Sequence, residues 1–331
     1  MDLDAYTAAR SADWDRLAQL ARRRRLDGRE ADELIDLYQA GATDLSAIKT
    51  LAGSTATGDR LSVALAAARL RFTGAGANLF SQIPQFFVLQ LPAALYRIRW
   101  VVLAVALATG VVSTLYAVWI AGNPDVLANL GQDAQLRRYV EHDFIDYYSN
   151  NPAASFSGQV WTNNAWIAAQ CIAFGITGVY VPYVLLQNAI GVGTAAGVMF
   201  AYGRGDVMFS YILPHGLLEL TSVFVAAAAG LRIFWAWIAP GARTRAQALA
   251  EDGRALFTVA IGCAITLFVS GLIEGFVTPS SLPVWLKVAI GALALAAFLA
   301  YMLILGRRAV RAGETGDLVE FEAGSRRVVA G

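Results

Sequence analysis

The chain has 331 residues, of which 57% are hydrophobic and 15% charged, with a formal net charge of +1. Soluble domains carry about 25% charged residues, and a near-neutral balance offers nothing to a nucleic-acid partner. No residue from Tyr147 to Gly203 is charged, which a water-facing surface would not tolerate. The expected class is therefore all-α, a polytopic helical membrane protein.

The first residues, MDLDAYTAARSADWDRLAQLARRRR, are polar and charged, with no apolar segment of signal-peptide type close behind. The chain is expected to be held in the membrane by its own spans. Residues 1–76 read as a small cytoplasmic helical domain. Trp14, Leu17, Leu20 and Ala21 recur at helical spacing. Asp27 followed by Glu30 has the form of a capping box. Ala31, Leu34, Ile35 and Tyr38 continue a helix that is expected to stop at Gly41, with Thr43 and Asp44 opening another. Leu61, Leu65 and Ala68 form a further apolar face. The arginines at 22–25 read as a solvated helix face with anionic lipid nearby. The domain is a cap on the membrane body or a docking module for a cytoplasmic partner, and the first is favoured.

Residues 77–99 read as an interfacial amphipathic elbow. Pro84 and Pro92 interrupt it, and Phe80, Phe86, Phe87 and Tyr96 suit the headgroup boundary. The membrane domain is placed at 100–306, with about six spans at Trp100–Gly122, Asn164–Tyr183, Leu185–Tyr202, Ile212–Trp237, Ala255–Val277 and Pro283–Leu305. The second and third are short, Gly-rich and almost contiguous. They are two crossings or a pair of re-entrant half-helices at 164–202, tolerated where protein surrounds them. The intervening loop 123–161 carries Glu141, His142, Asp143 and Asp146, whose spacing fits helix-surface acids and no metal motif. Tyr147 and Tyr148 are expected at the bilayer surface or against a partner. Residues 307–331 form a short tail. Cys171 and Cys263 fall inside predicted spans, where neither a structural disulfide nor a metal framework is expected.

Arginines set the orientation. Arg97 and Arg99, then Arg243, Arg245 and Arg254, then Arg307, Arg308 and Arg311 all fall on one side of a six-span body. That side is expected to be cytoplasmic, with both termini on it, in a bacterial cytoplasmic membrane.

The functional signal is polar chemistry at membrane depth. Ionisable residues there are costly and normally face a bundle interior or a cavity. Glu219 and Glu274 both lie in apolar runs, and His215 precedes Glu219 by four residues, one turn away on the same face. Glu219 starts its span and Glu274 ends the next, so the two are expected at similar depth, where neighbouring carboxyls share a proton. Asn163 and Asn164 are expected to join them, and Asn188 completes the set of membrane-embedded polar candidates. Gly193 and Gly197 form a GxxxG pair that permits close helix approach. No HExxH or nucleophile motif is present in the sequence, so no catalytic, cofactor or metal-binding residue is assigned, and the chain is read as non-enzymatic.

The segments TNNAWIAAQCIAFGITGVY, LLQNAIGVGTAAG, FSYILPHGLLELTSVFVAAAAGLRI and GLIEGFVTPS together resemble the stage II sporulation protein M family of multispanning membrane proteins. The resemblance covers about residues 95–308, and RLAQLARRRR and ADELIDLYQAGATDLS resemble the N-terminal region of longer members. His215, Glu219, Asn163, Asn164, Asn188 and Glu274 match the family's membrane motifs. The resemblance implies a scaffold or anchor in cell-envelope remodelling, with membrane lipids and envelope or wall-remodelling proteins as partners. The intramembrane carboxyls instead favour an ion- or proton-coupled channel or transporter. A membrane-embedded enzyme is a third reading. A homodimer is expected from the Gly-lined helices.

The orientation is open to a direct test. Single cysteines placed in residues 5–70 should resist a membrane-impermeant maleimide in intact cells and react after permeabilisation; labelling from outside would reverse the assignment.

Overall fold

A computed structural model describes residues 3–23, 26–52, 55–72, 83–149 and 152–316. The chain divides into two compact units, one essentially residues 1–83 and the other 84–321. In the first, α1 (Leu3–Arg22), α2 (Gly28–Ala52) and α3 (Ala56–Phe72) pack on one another around Leu17, Leu20, Leu34, Ile48 and Leu61. Asp27 and Glu30 form the reciprocal cap at the start of α2: the Glu30 amide donates to Asp27 Oδ1 at 2.8 Å, and the Asp27 amide to Glu30 Oε2 at 3.3 Å.

The expected break at Gly41 does not occur. α2 runs through it because its bare Cα lets Leu17, Leu61 and Leu65 close on the helix, and that packing outweighs glycine's propensity cost of about 1 kcal/mol. Nor is Asp44 a cap. It is buried and accepts hydrogen bonds from Tyr6 Oη at 2.7 Å and Trp14 Nε1 at 2.9 Å.

The second unit contains the membrane helices. Its first, α4 (Ile83–Ala121), is continuous and includes a π-helical turn at Phe86–Gln90. Residues 83–99, read from sequence as an elbow, are therefore part of the helix that carries the first predicted span; residues 77–82 lie outside the described residues. Short helices at Pro124–Leu130, Asp133–Arg138 and Phe144–Ser149 follow. Then come α5 (Ala153–Ala173), α6 (Tyr180–Ala201), α7 (Gly205–Ile238), α8 (Arg245–Val277) and α9 (Val284–Arg311).

Among the described residues, five helices are long and apolar enough to cross a membrane: α4, α6, α7, α8 and α9. Their outer faces carry large apolar side chains with no protein cover, such as Trp100 at 66% exposure, Trp285 at 71% and Leu293 at 69%. Lipid, not water, is the solvent these faces fit. α7 is the hub and touches α4, α5, α6, α8 and α9.

The predicted second span, Asn164–Tyr183, is displaced. The helix there is α5, which begins at Ala153 and ends at Ala173, before a 3-10 turn at Gly175–Thr177. At 1.5 Å per residue its 21 residues extend about 30 Å. It falls short of the apolar set because Ser157, Gln159, Thr162, Asn163, Asn164 and Gln170 interrupt it.

The neighbours of α5 show why a return helix must stand there. α6 runs parallel to α4: Gly193 abuts Ser113 and Tyr116, and Gly197 abuts Ala117 and Ile120. Parallel neighbours need an antiparallel element between them. α5 is that element, with Ser157 against Gly271 and Gly275 at one end and Cys171 against Gly230 at the other. The turn to α6 lies at the level of Gly230 and Phe234, close to where α7 ends at Ile238. The GxxxG pair is thus occupied within the chain.

Gly230 is one of the points where backbones come very close. A Cβ there would overlap the Cys171 carbonyl oxygen, and one at Gly175 would overlap the Gly230 backbone. Gly230→Ala should therefore destabilise the protein by about 1–3 kcal/mol, the usual overpacking range. At Gly110 on α4 an added methyl would meet nothing within 4 Å, so Gly110→Ala should leave thermal stability in detergent unchanged or raised. Equal melting temperatures for the two variants would contradict the close crossing.

Candidate functional site

α7 and α8 are antiparallel, with Arg232 paired to Asp252 near one end and His215 facing Glu274 near the other. At the second end α7 carries Pro214 inside its helix. Proline removes one helical donor, and here the Pro214 carbonyl also receives the close approach of Gly291 from α9. His215 and Glu219, one turn apart, project together toward α8. The Ser270 hydroxyl of α8 donates to the His215 backbone carbonyl at 3.0 Å and ties the two helices at this level.

Glu274 sits in a π-helical turn, Ile273–Val277, where the Thr278 amide reaches back to the Ile273 carbonyl at 3.0 Å. Such widened turns occur at functional sites. On its other side Gly275 lets α5 approach so closely that any Cβ would overlap Ser157 Oγ. The π turn and the glycine together turn Glu274 inward; it is 3% exposed, and His215 is 6% exposed.

Donor atoms of His215, Glu219 and Glu274 all lie within 4.8 Å of one another. Nε2 of His215 is 3.7 Å from Glu274 Oε2, and Nδ1 is 3.3 Å from Thr278 Oγ1. The Glu219 carboxyl lies beside Asn164, Glu274 and Ser270. One oxygen of each carboxyl, Oε2 in both, is buried without a partner, as is Ser157 Oγ. Two neighbouring carboxyls in apolar surroundings cannot both hold a bare charge, so at least one is protonated or a cation is bound beside them.

The Tyr148 ring covers His215, with centroids 5.9 Å apart. Tyr148 is buried, whereas Tyr147 is 57% exposed, so only one of the pair lies on the surface where both are expected from sequence. Burial pushes the Tyr148 phenol well above its ordinary range, and the Glu274 carboxyl adds to the effect, so it stays neutral.

Of the candidates from sequence, His215, Glu219, Glu274 and Asn164 come together. Asn163 is exposed on another face of α5. Asn188 lines a separate cavity of about 170 Å³ between α4, α6 and α7, with Ser113, Leu185 and Phe224. Glu141, His142, Asp143 and Asp146 are all exposed, and Asp143 pairs with Arg138 at 3.3 Å. Cys171 and Cys263 are free and buried.

Ser270, Thr278, Ser157 and Tyr148 join the site without having been candidates from sequence. A signal exists for two of them: Ser270 and Thr278 stand four residues either side of Glu274, the spacing that shares a helix face.

A family model described as stage II sporulation protein M matches residues 100–279, more than half of the chain. The chain belongs to the stage II sporulation protein M family. The match contains the whole His215–Glu219–Glu274 cluster and stops before α9. A second model, described as a domain of unknown function, matches residues 4–74. No curated protein and no solved structure matches the chain. The family assignment agrees with a multi-pass membrane protein and brings no catalytic motif with it.

If the two carboxyls share one bound cation, their substitutions will not be additive. Glu219→Gln and Glu274→Gln should show a coupling of about 0.5–3 kcal/mol in a double-mutant cycle of unfolding stability. Strict additivity would separate the two side chains functionally.

Proposed function

We propose that this family member is an ion- or proton-coupled channel or transporter in which His215, Glu219 and Glu274 form the cation-handling centre. The observation that carries this reading is a pair of contacting carboxyls, each with a buried oxygen that no protein donor satisfies. A group retained only to pin helices together would have its hydrogen-bonding capacity met by the protein. α7, the most enclosed membrane helix, supplies two of the three groups, and its internal proline and the π turn in α8 are departures from regular helix at the same level. Asn164 stands beside Glu219 as a neutral hydrogen-bond donor, while the Ser270 hydroxyl is engaged by the His215 carbonyl.

The setting we propose is a bacterial inner membrane, with both termini cytoplasmic, which the arginine clusters favour.

Family membership favours a second reading, a non-enzymatic scaffold that organises envelope-remodelling proteins. The two readings part on flux. Purified protein in liposomes carrying a pH-sensitive dye, with ion gradients of either sign, should dissipate a proton or ion gradient, and Glu219→Gln should cut the rate at least about tenfold. Folded wild-type protein that leaves every gradient at the rate of empty liposomes would sink the transport reading in favour of the scaffold.

A further inference from the structure

We propose that the His215–Glu219–Glu274 cluster binds one divalent first-row transition cation, of the zinc, manganese or cobalt class. The inference rests on the cation-handling reading above and gives that cation its chemical class.

The tautomer of His215 is the first argument. The Thr278 hydroxyl donates to the Ile273 carbonyl, 3.4 Å away. With that hydrogen on the carbonyl, its lone pair is left for the imidazole, and we assign the ring hydrogen to Nδ1, at 3.3 Å. Nε2 is then unprotonated and presents its lone pair to Glu274 Oε2 at 3.7 Å. Two lone pairs face each other across a gap too long for a hydrogen bond. A metal ion between them resolves that opposition. Histidine ligands are held in this way, with the second nitrogen donating to a fixed neighbouring acceptor.

Charge and size agree. Two carboxylates neutralise one divalent ion, and no arginine or lysine side chain is paired with either of them among the described residues. Lys287, the cation held nearby, donates to the Thr278 carbonyl at 2.7 Å instead. In a tetrahedral site, metal–nitrogen and metal–oxygen bonds of about 2.0–2.2 Å place neighbouring ligand atoms about 3.3–3.6 Å apart. His215 Nε2 and Glu274 Oε2, 3.7 Å apart, already stand near that spacing, and a donor pair at the limit of the 4.8 Å envelope closes by about 1.2–1.5 Å on binding. Nitrogen plus two carboxylates is a ligand set for zinc, manganese, iron or cobalt. Calcium, which takes six to eight oxygens, is poorly served. A single proton satisfies one of the opposed pairs; a divalent ion engages Nε2 and both unpartnered Oε2 atoms at once.

The test uses the full chain in nanodiscs, stripped with a chelator and then exposed separately to Zn²⁺, Mn²⁺ and Co²⁺. After desalting, elemental analysis should find about one ion per chain for at least one metal. Co²⁺ should give visible d–d absorption that a chelator removes. Glu219→Gln and Glu274→Gln should each weaken binding at least tenfold. Thr278→Val should weaken it about 10–100-fold, as for a residue that orients a ligand, while leaving the stoichiometry intact. Should the glutamine variants fail to fold, the wild-type cobalt spectrum and Thr278→Val decide alone. Wild-type protein that retains none of the three metals, or binding unchanged in a folded Glu219→Gln/Glu274→Gln double variant, overturns the inference. Proton flux from metal-free protein in the liposome assay, with no metal retained, would overturn the metal site and keep the transport reading. Stoichiometric metal without any flux would do the reverse.

Discussion

A buried imidazole and two neighbouring carboxyls, Glu274 buried and Glu219 half-buried, are the constraint around which this membrane body is arranged. Taken singly, each group is expensive in a low-dielectric interior. Taken together, they are tolerable only if helices approach closely enough to supply partners and exclude lipid. The close approaches are visible: Gly275 meets α5 at Ser157, Gly291 meets α7 at Pro214, and Ser270 reaches across to the His215 carbonyl. The polarity of α5 follows from the same need. A wholly apolar helix in that place would offer Glu219 nothing where Asn164 now stands. Its second role is topological, as the return between the parallel helices α4 and α6.

Stage II sporulation protein M membership and the buried cluster bear on different levels. The family places the chain among multi-pass membrane proteins and covers the helices that build the cluster, Trp100 through Pro279. The chemistry of the cluster is a separate matter, argued from lone pairs and charge. A scaffold needs helix contacts, and the Gly230–Cys171 crossing would satisfy that need without any ionisable group. The two glutamates and the histidine exceed what packing asks for, and that excess is why a cation is placed at the centre of the functional reading.

Much of the fold is legible in the residues. Apolar runs of membrane length are unmistakable because lipid imposes one requirement on every turn of an exposed helix. Thus α6–α9 and the C-terminal end of α4 stand close to where their sequences place them. Legibility ends where that requirement lapses. α5 packs one face on α7 and α8, while its outer face mixes Trp161 and Trp166 with Gln159, Thr162 and Asn163, so its apolar run points to limits about ten residues away from the real ones. Gly41 misleads for a related reason: its effect depends on what packs against it, and Leu17, Leu61 and Leu65 come from other helices.

The site divides along the same line. The sequence alone determined that Glu219 and Glu274 lie in apolar helices of membrane length and that His215 shares a face with Glu219, because hydropathy and helical periodicity are local rules. Only the tertiary structure decided that Asn164 joins them while Asn163 and Asn188 do not, that Thr278 orients the imidazole, and that Tyr148 covers it. Those outcomes depend on the rotation of α5 about its own axis, on the π turn that re-aims Glu274, and on the crossing of α7 with α8. Rotation and crossing are set by the shapes of side chains far apart in the chain, and no periodicity within one helix encodes them.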